Sequence, residues 1–174
     1  MSEPQVVFQG RRFRVERTEQ RQPDGRTRVL EAIRHPGAAV ILPILDDGRI
    51  VLIKNQRHAI GRELLELPAG TLDPHELPEQ CALRELKEET GYTAQLIEPL
   101  ISYYSSPGIC DEQMHTFVAQ KLEPGRTKLD EGEEIQLWPL TYEAALAAIA
   151  DGRIVDAKTI VSLLYYDWRR GREA

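Results

Sequence analysis

The stretch Ala69–Tyr92, AGTLDPHELPEQCALRELKEETGY, poses an electrostatic problem whose answer decides the fold around it. Five of the six residues from Arg84 to Glu89 are charged, and Glu85, Glu88 and Glu89 fall almost side by side. The pattern predicts a helix from about Pro78 to Thr90, with Gly91 as a ready C-terminal stop. Ala82, Leu83 and Leu86 are expected to share one face, and Cys81, Glu85, Glu88 and Glu89 another. Residues 85 and 89 are then i,i+4 neighbours and 88 is i+3 from 85, so the carboxylates project into one small region. Left unpaired they would cost stability and raise one another's pKa. A hard divalent cation removes that conflict. Magnesium or manganese prefers carboxylate and carbonyl oxygen and retains waters that a phosphate-bearing substrate can share. Taken alone, RELKEE also reads as a solvated acidic face with Arg84 and Lys87 as partial neutralisers, and the spacing around it has to decide.

The rest of the chain narrows the class. Its 174 residues have room for one domain with a sizeable core, and no repeat or low-complexity tract interrupts them. A formal net charge of −6 argues against a general nucleic-acid binder, whose footprint is basic. The longest apolar runs, such as GAAVILPIL (Gly37–Leu45), are too short to span a bilayer, and the N-terminus lacks a charged-then-apolar signal pattern. Cys81 and Cys110 make no metal spacing and no disulfide framework, and read as small buried hydrophobes in a reducing compartment. A cytoplasmic protein without a membrane segment is the expectation. His35, His58, His75 and His115 are scattered, without an HExxH arrangement, and read as surface or loop residues. Neither a Walker sequence nor GxGxxG is present. Tyr165, Tyr166 and Trp168 read as packing for a terminal helix or an interface.

Strand patterns fill the N-terminal third. RRFRVERTEQ (11–20) and TRVLEAIRH (27–35) alternate around the turn signal QPDG, which predicts an antiparallel hairpin. AAVILPIL (38–45), DDG and RIVLIKNQ (49–56) repeat the pattern and predict a second hairpin. Further strands are expected in LIEPLISYYSS (96–106), QMHTFVAQKL (113–122) and EIQLWPL (134–140), and helices in YEAALAAIADG (142–152) and DAKTIVSLLYYDW (156–168). Strands first and helices interleaved later predict an α/β (α+β) fold, a mixed sheet with helices on its faces.

From Gly70 the spacing is glycine, five residues, Glu76, seven residues, then Arg84-Glu85-Leu86-Lys87-Glu88-Glu89-Thr90-Gly91-Tyr92. This resembles the Nudix box, G-x5-E-x7-R-E-U-x-E-E-x-G-U, where U is a bulky apolar residue; every fixed position matches and only the last U is a tyrosine. The resemblance implies a Nudix-type α/β/α sandwich with a mixed β-sheet over residues 37–174, preceded by an antiparallel β-ribbon over 1–36 that serves dimerisation. It implies metal-dependent hydrolysis of a nucleoside diphosphate linked to another group. By that resemblance Glu85 and Glu89 are metal ligands and Glu88 is an adjoining ligand or proton acceptor. Arg84 and Glu76 are the salt-bridged pair that orients the helix. Mg2+ is the implied ion, with Mn2+ or another divalent cation as the alternative.

Three further segments are similar to the ADP-ribose pyrophosphatase subgroup. Pro107 lies sixteen residues after Gly91 in SSPGICDE, where the subgroup has its marker proline. NQRHAIGRELLELPAG (55–70) is similar to the segment in which an arginine nears substrate and backbone carbonyls approach metal, at positions matched by Arg57 and Ala69. The subgroup usually has an aromatic before that arginine, whereas this chain has Gln56. LDEGEEI (129–135) resembles the loop that closes over substrate, which implies Glu131 as general base and Glu133 as a further ligand, with Glu134 the rival for either role. Glu112 is placed near the terminal ribose or its waters. In the similar subgroup the N-terminal strands exchange between subunits, which implies a homodimer with shared sites, and Phe13 or Arg28 facing the base. The implied reaction converts ADP-ribose to AMP and ribose 5-phosphate. A pyrophosphatase for nucleotide sugars such as GDP-mannose and a regulatory module that binds ADP-ribose without cleaving it are the alternatives.

Overall fold

The computed structural model describes residues 2–129 and 134–173. Its hub is β4 (Ala38–Pro43), all six of whose residues are buried. The strand runs parallel to β9 (Gln113–Glu123), from Ala38↔Met114 to Pro43↔Ala119, and antiparallel to β7 (Ala69–Thr71). The long β8 (Thr93–Tyr104) pairs antiparallel with β9 and completes a four-stranded mixed sheet in the order β7-β4-β9-β8. A strand covered on both faces is an unbroken apolar run rather than an alternating one, which is what AAVIL supplies.

Each face of this sheet carries its own core. On one, α1 (Pro78–Thr90) lays Cys81, Ala82 and Leu86 on Ala39, Ile41, Phe117 and Ala119. On the other, Val40, Leu42, Met114 and Val118 meet Ile50 and Leu52 of β5 (Ile50–Arg57), with Ala145 and Ala148 of α2 (Tyr142–Ala150) and Leu163 of α3 (Ala157–Glu173). The result is a mixed α/β sandwich with helices on two sides. β5 is the centre of a second, three-stranded sheet between β10 (Ile135–Leu140) and β6 (Arg62–Glu66). Ahead of all this, β1 (Gln5–Gln9), β2 (Arg14–Arg21) and β3 (Thr27–Arg34) form a separate antiparallel sheet. Ile33 links it to the body, donating its N–H to Ile109 O at 2.8 Å and accepting from Asp111 N at 3.1 Å.

Several expectations change here. The turn at Asp46–Gly48 is present, with Gly48 at φ 84°, yet it does not close a second hairpin. Beyond the single bridge Ile44↔Ile50 the two strands part into different sheets, because β4 takes β9 and β7 as partners while β5 takes β6 and β10. Leu83 is 37% exposed rather than buried. The buried stripe of α1 is Cys81, Ala82, Leu86, Glu89 and Thr90, and at about 100° per residue Leu83 turns away from it. His115 is half-buried on β9, not a surface loop residue, and burial pushes its pKa down. Cys81 is fully buried and Cys110 half-buried, and both thiols are free.

The end of α1 is fixed by two glycines. Gly91 adopts the left-handed conformation at φ 76° and donates its N–H to Lys87 O at 2.9 Å. Gly125 packs so closely over it that a Cβ there would lie 2.7 Å from Gly91 O. Lys128 N then donates to Glu88 O at 2.9 Å, so the segment from Gly125 to Lys128 is seated on the C-terminus of the helix. Gly125→Ala should therefore cost about 1–3 kcal/mol through overpacking against backbone. Gly171→Ala, where a Cβ meets nothing within 4 Å, should be neutral or gain up to about 1 kcal/mol in helix propensity. Urea unfolding of the two variants checks the contrast.

Candidate active site

The site is built where β7 and the loop after it pass beneath α1. Gly70 is required by contact rather than by backbone angle: a Cβ there would fall 1.8 Å from Glu85 Oε1. The carboxylate of Glu85 thus rests on the Gly70 backbone. One turn on, Glu89 is only 4% exposed and accepts from Ala69 N at 2.9 Å through Oε2. Two acidic side chains of the helix are folded back onto consecutive residues of β7.

Arg84 sits among the other oxygens. Its Nε and Nη2 both donate to the Glu76 carboxylate at 2.8 Å, and Nη1 donates to Glu85 Oε1 at 2.5 Å and to Glu88 Oε2 at 3.0 Å. Nη2 also reaches Thr71 O at 3.2 Å, which ties the guanidinium to the β7 backbone. Part of the charge conflict along the helix is therefore relieved from within. One cation serves three carboxylates, with Glu89 close by, so negative charge remains in excess.

The electrostatic consequences are specific. The hydrogen bonds from Arg84, opposed by burial and aided by the Asp73 N–H, pull the Glu76 pKa from 4.5 to about 2. The same bonds raise the Arg84 pKa, chiefly through Glu76 and against the effect of burial. Burial, with Glu76 and Glu85 nearby, pushes the Cys81 thiol up to about 12, so it is a packing residue and not a nucleophile.

Among the described residues, no three His, Cys, Asp or Glu side chains converge on one point as a metal-holding group. Arg84 holds Glu85 and Glu88, and Ala69 N holds Glu89. The donor chemistry nevertheless suits a hard divalent ion: carboxylate oxygens face a loop with only backbone at Gly70, and no sulfur or imidazole joins them except the protonated Cys81 thiol.

The remaining sequence candidates fall into separate groups. Arg57, at the end of β5, pairs with the buried Glu66 at 2.6 Å. Glu112 lies 3.5 Å from His35 Nδ1, beside the turn that contains Pro107. Phe13 lies just before β2 and packs on Phe8 with centroids 5.7 Å apart, and Arg28, in β3, is exposed opposite Gln20. Glu134 is exposed immediately before β10, while Glu131 and Glu133 lie outside the described residues. Glu66, Lys158, Asp156 and Thr159 were not anticipated. The available signal was a glutamate set in the apolar run LLELP, a position that demands a buried partner.

Comparison with known proteins gives this arrangement a family. A model described as the NUDIX domain matches residues 33–161. The chain belongs to the Nudix family. It is 38% identical over 154 residues to an ADP-ribose pyrophosphatase of Bacillus subtilis (strain 168), covering 87% of this chain and 83% of that protein. It is also 38% identical over 161 residues to a methanol dehydrogenase activator of Bacillus methanolicus, covering 91% and 87%. A GDP-mannose pyrophosphatase of Yersinia enterocolitica is 38% identical over 141 residues, covering 76% and 73%. A solved structure described as an ADP compounds hydrolase superposes with a TM-score of 0.84 at 26% identity, covering 98% of this chain and 93% of that one. Nudix hydrolases generally use divalent cations, in keeping with the acidic surplus around Arg84.

The Glu76–Arg84 pair makes a pH-dependent contribution whose sign is fixed by the depressed pKa. It is fully present above 4.5, the ordinary carboxylate value, and is lost as pH falls toward about 2. Glu76→Gln should cost about 2 kcal/mol near neutrality, the scale of a hydrogen bond to a charged group. The gap between the variant and the parent should close through that acidic window when both are unfolded with urea across pH.

Proposed function

We propose that this Nudix protein hydrolyses the pyrophosphate bond of ADP-ribose, yielding AMP and ribose 5-phosphate. The observation that carries the reading is the pair of carboxylates, Glu85 and Glu89, held against the Gly70 and Ala69 backbone beneath one helix. Its substrate half is supported by the similarity to ADP-ribose pyrophosphatases and by Pro107 in the turn after β8.

In this reading Glu85 and Glu89, the Ala69 carbonyl and Glu133 hold Mg2+, with Mn2+ as the alternative. A bound divalent ion polarises water and neutralises charge on the leaving phosphate. Glu131 takes the proton from the attacking water, with Glu134 as its rival; an ordinary carboxylate is already ionised near neutrality and needs only to be positioned. Glu88 adjoins the ligands. Arg84 and Glu76 hold the helix against the loop, so that ligand spacing is set before substrate arrives. Arg57 supplies a cation to the diphosphate, and Glu112 lies toward the terminal ribose.

The N-terminal strands complete the site from a second copy. Val6, Val7, Phe8 and Val29 are 49%, 43%, 53% and 51% exposed, an apolar surface suited to burial against a partner. We therefore read residues 1–36 as the dimerisation element of a cytoplasmic homodimer, with Phe13 or Arg28 facing the base of the partner's substrate. Among the described residues no helix is long and apolar enough to cross a membrane.

The relatives named GDP-mannose pyrophosphatase favour a second reading, in which a nucleotide sugar is cleaved by the same chemistry. A panel of ADP-ribose, GDP-mannose, diadenosine polyphosphates, NADH and nucleoside triphosphates, with magnesium and then manganese, separates the two. Preferential release of AMP and ribose 5-phosphate is the expected result. Glu85→Gln should lower turnover by more than about a hundredfold, since losing even an outer-shell partner of a metal ligand costs roughly 10–100-fold. Preference for GDP-mannose would move the protein to the second reading. Tight ADP-ribose binding without turnover would make it a regulatory module.

A further inference from the structure

Glu66 closes β6 with a side chain that is 0% exposed, in a run of sequence that is otherwise apolar. A carboxylate at that depth stays ionised only if cations pair with it and donors meet its lone pairs. Two cations pair with it, and both hydrogen bonds they make fall on Oε2. Arg57 of β5 approaches with Nη2 2.6 Å from Oε1 and donates Nε to Oε2 at 3.2 Å. Lys158, in the first turn of α3 and only 10% exposed, donates Nζ to the same Oε2 at 2.6 Å.

The lysine is itself fixed. It donates to Asp156 Oδ2 at 2.9 Å, and that carboxylate also accepts from Thr159 N at 3.0 Å and Thr159 Oγ1 at 2.6 Å. Thr159 Oγ1 in turn accepts from Leu67 N at 2.8 Å. The start of α3 is thereby joined to two consecutive residues of the ELPAG segment, to Glu66 through its side chain and to Leu67 through its backbone.

The geometry points to Lys158 as a positioning residue for Arg57: by sharing the Glu66 carboxylate, it sets the plane in which the guanidinium meets the substrate's diphosphate. This rests on the reading of Arg57 as a diphosphate ligand given above. A guanidinium carries five donors in a rigid fork, and the hydrogen bond of Nε to Glu66 Oε2, with Nη2 in ion-pair contact at Oε1, sets its orientation against that carboxylate. The Arg57 side chain is 37% exposed, so part of the fork stays at the surface. Glu66 can orient it only while Glu66 itself is held. Lys158 contributes the short bond to Oε2; without it, Arg57 is the one remaining cation on the carboxylate among the described residues, and the fork loses its fixed reference. Binding to the diphosphate is made in the ground state and the transition state alike, so the loss belongs in KM more than in kcat.

A double-mutant cycle tests this with Arg57→Ala and Lys158→Met, in the full-length protein and with the substrate that the panel selects. KM and kcat are measured, together with the Kd of a methylene-bridged, non-hydrolysable analogue. Each single variant should raise KM and Kd about tenfold, the lower end of what loss of an outer-shell partner costs, with kcat nearly unchanged. The double variant should be no worse than Arg57→Ala alone, because coupled residues are not additive. If Arg57→Ala leaves KM and Kd unchanged, the diphosphate reading of Arg57 fails and the positioning role falls with it. If Arg57→Ala raises them but Lys158→Met does not, or if the two effects multiply, the role of Lys158 is refuted while that of Arg57 stands. Should Lys158→Met not fold, Lys158→Gln, which keeps a polar group beside Asp156 but no charge and leaves Glu66 intact, takes its place in the cycle under the same criteria.

Discussion

The guanidinium of Arg84 is the interaction on which the site depends, because it is the cation that lets several carboxylates stand on one short helix before any ion or substrate is present. It holds Glu76 by two hydrogen bonds, so the loop after β7 and the middle of α1 form one unit. It also holds Glu85 and Glu88, and its fourth tie, to Thr71 O, brings in the backbone of β7. A lysine could not replace it, since a single ammonium lacks the planar fork that serves oxygens on several sides at once. The contact is equally demanding of its neighbour, because Glu85 reaches its position only where residue 70 has no side chain.

The sheet explains why this unit is held in place. β4 is buried on both faces and carries α1 on one side and α3 on the other. Leu86, fully buried under α1, alone contributes about 1.5–3 kcal/mol by the usual scale for a leucine. The acidic face of the helix cannot move without disturbing that packing. The C-terminus of α1 is constrained again by the contact of Gly91 with Gly125 and by the Lys128 hydrogen bond. The helix is therefore fixed at its middle by charge and at its end by backbone contact.

What the sequence made legible was local, and what it hid was long-range. The helix from Pro78 to Thr90 and its Gly91 stop follow from periodicity and glycine chemistry and appear as expected. So does the hairpin of β2 and β3 around Gln22–Gly25. The second hairpin was misread because a tight turn and two apolar strands look alike whether the strands pair with each other or part. Only the parallel pairing with β9, distant in sequence, decides it. Leu83 was misplaced because a helical face is centred by what packs on it, and α1 is centred on Ala82 and Leu86. The Glu66 network could not be read either: its members come from β5, β6 and α3, and no spacing rule joins residue 66 to residue 158.

The two ion-pair systems have complementary stoichiometry, and they lie at the two ends of one short segment. At Glu66 one buried carboxylate is shared by two cations, Arg57 and Lys158. At Arg84 one guanidinium is shared by three carboxylates, Glu76, Glu85 and Glu88. Leu67, Pro68 and Ala69 run between them, and that backbone is held at Leu67 by Thr159 and at Ala69 by Glu89, which neighbours the Arg84 system on α1. With Asp156 also on Lys158, the Glu66 end is balanced, two cations against two carboxylates, whereas at the other end carboxylates outnumber the single guanidinium. The main chain is therefore tied at Leu67 to the start of α3 and at Ala69 to α1, and this fixes Glu66 and the acidic helix face on one short segment.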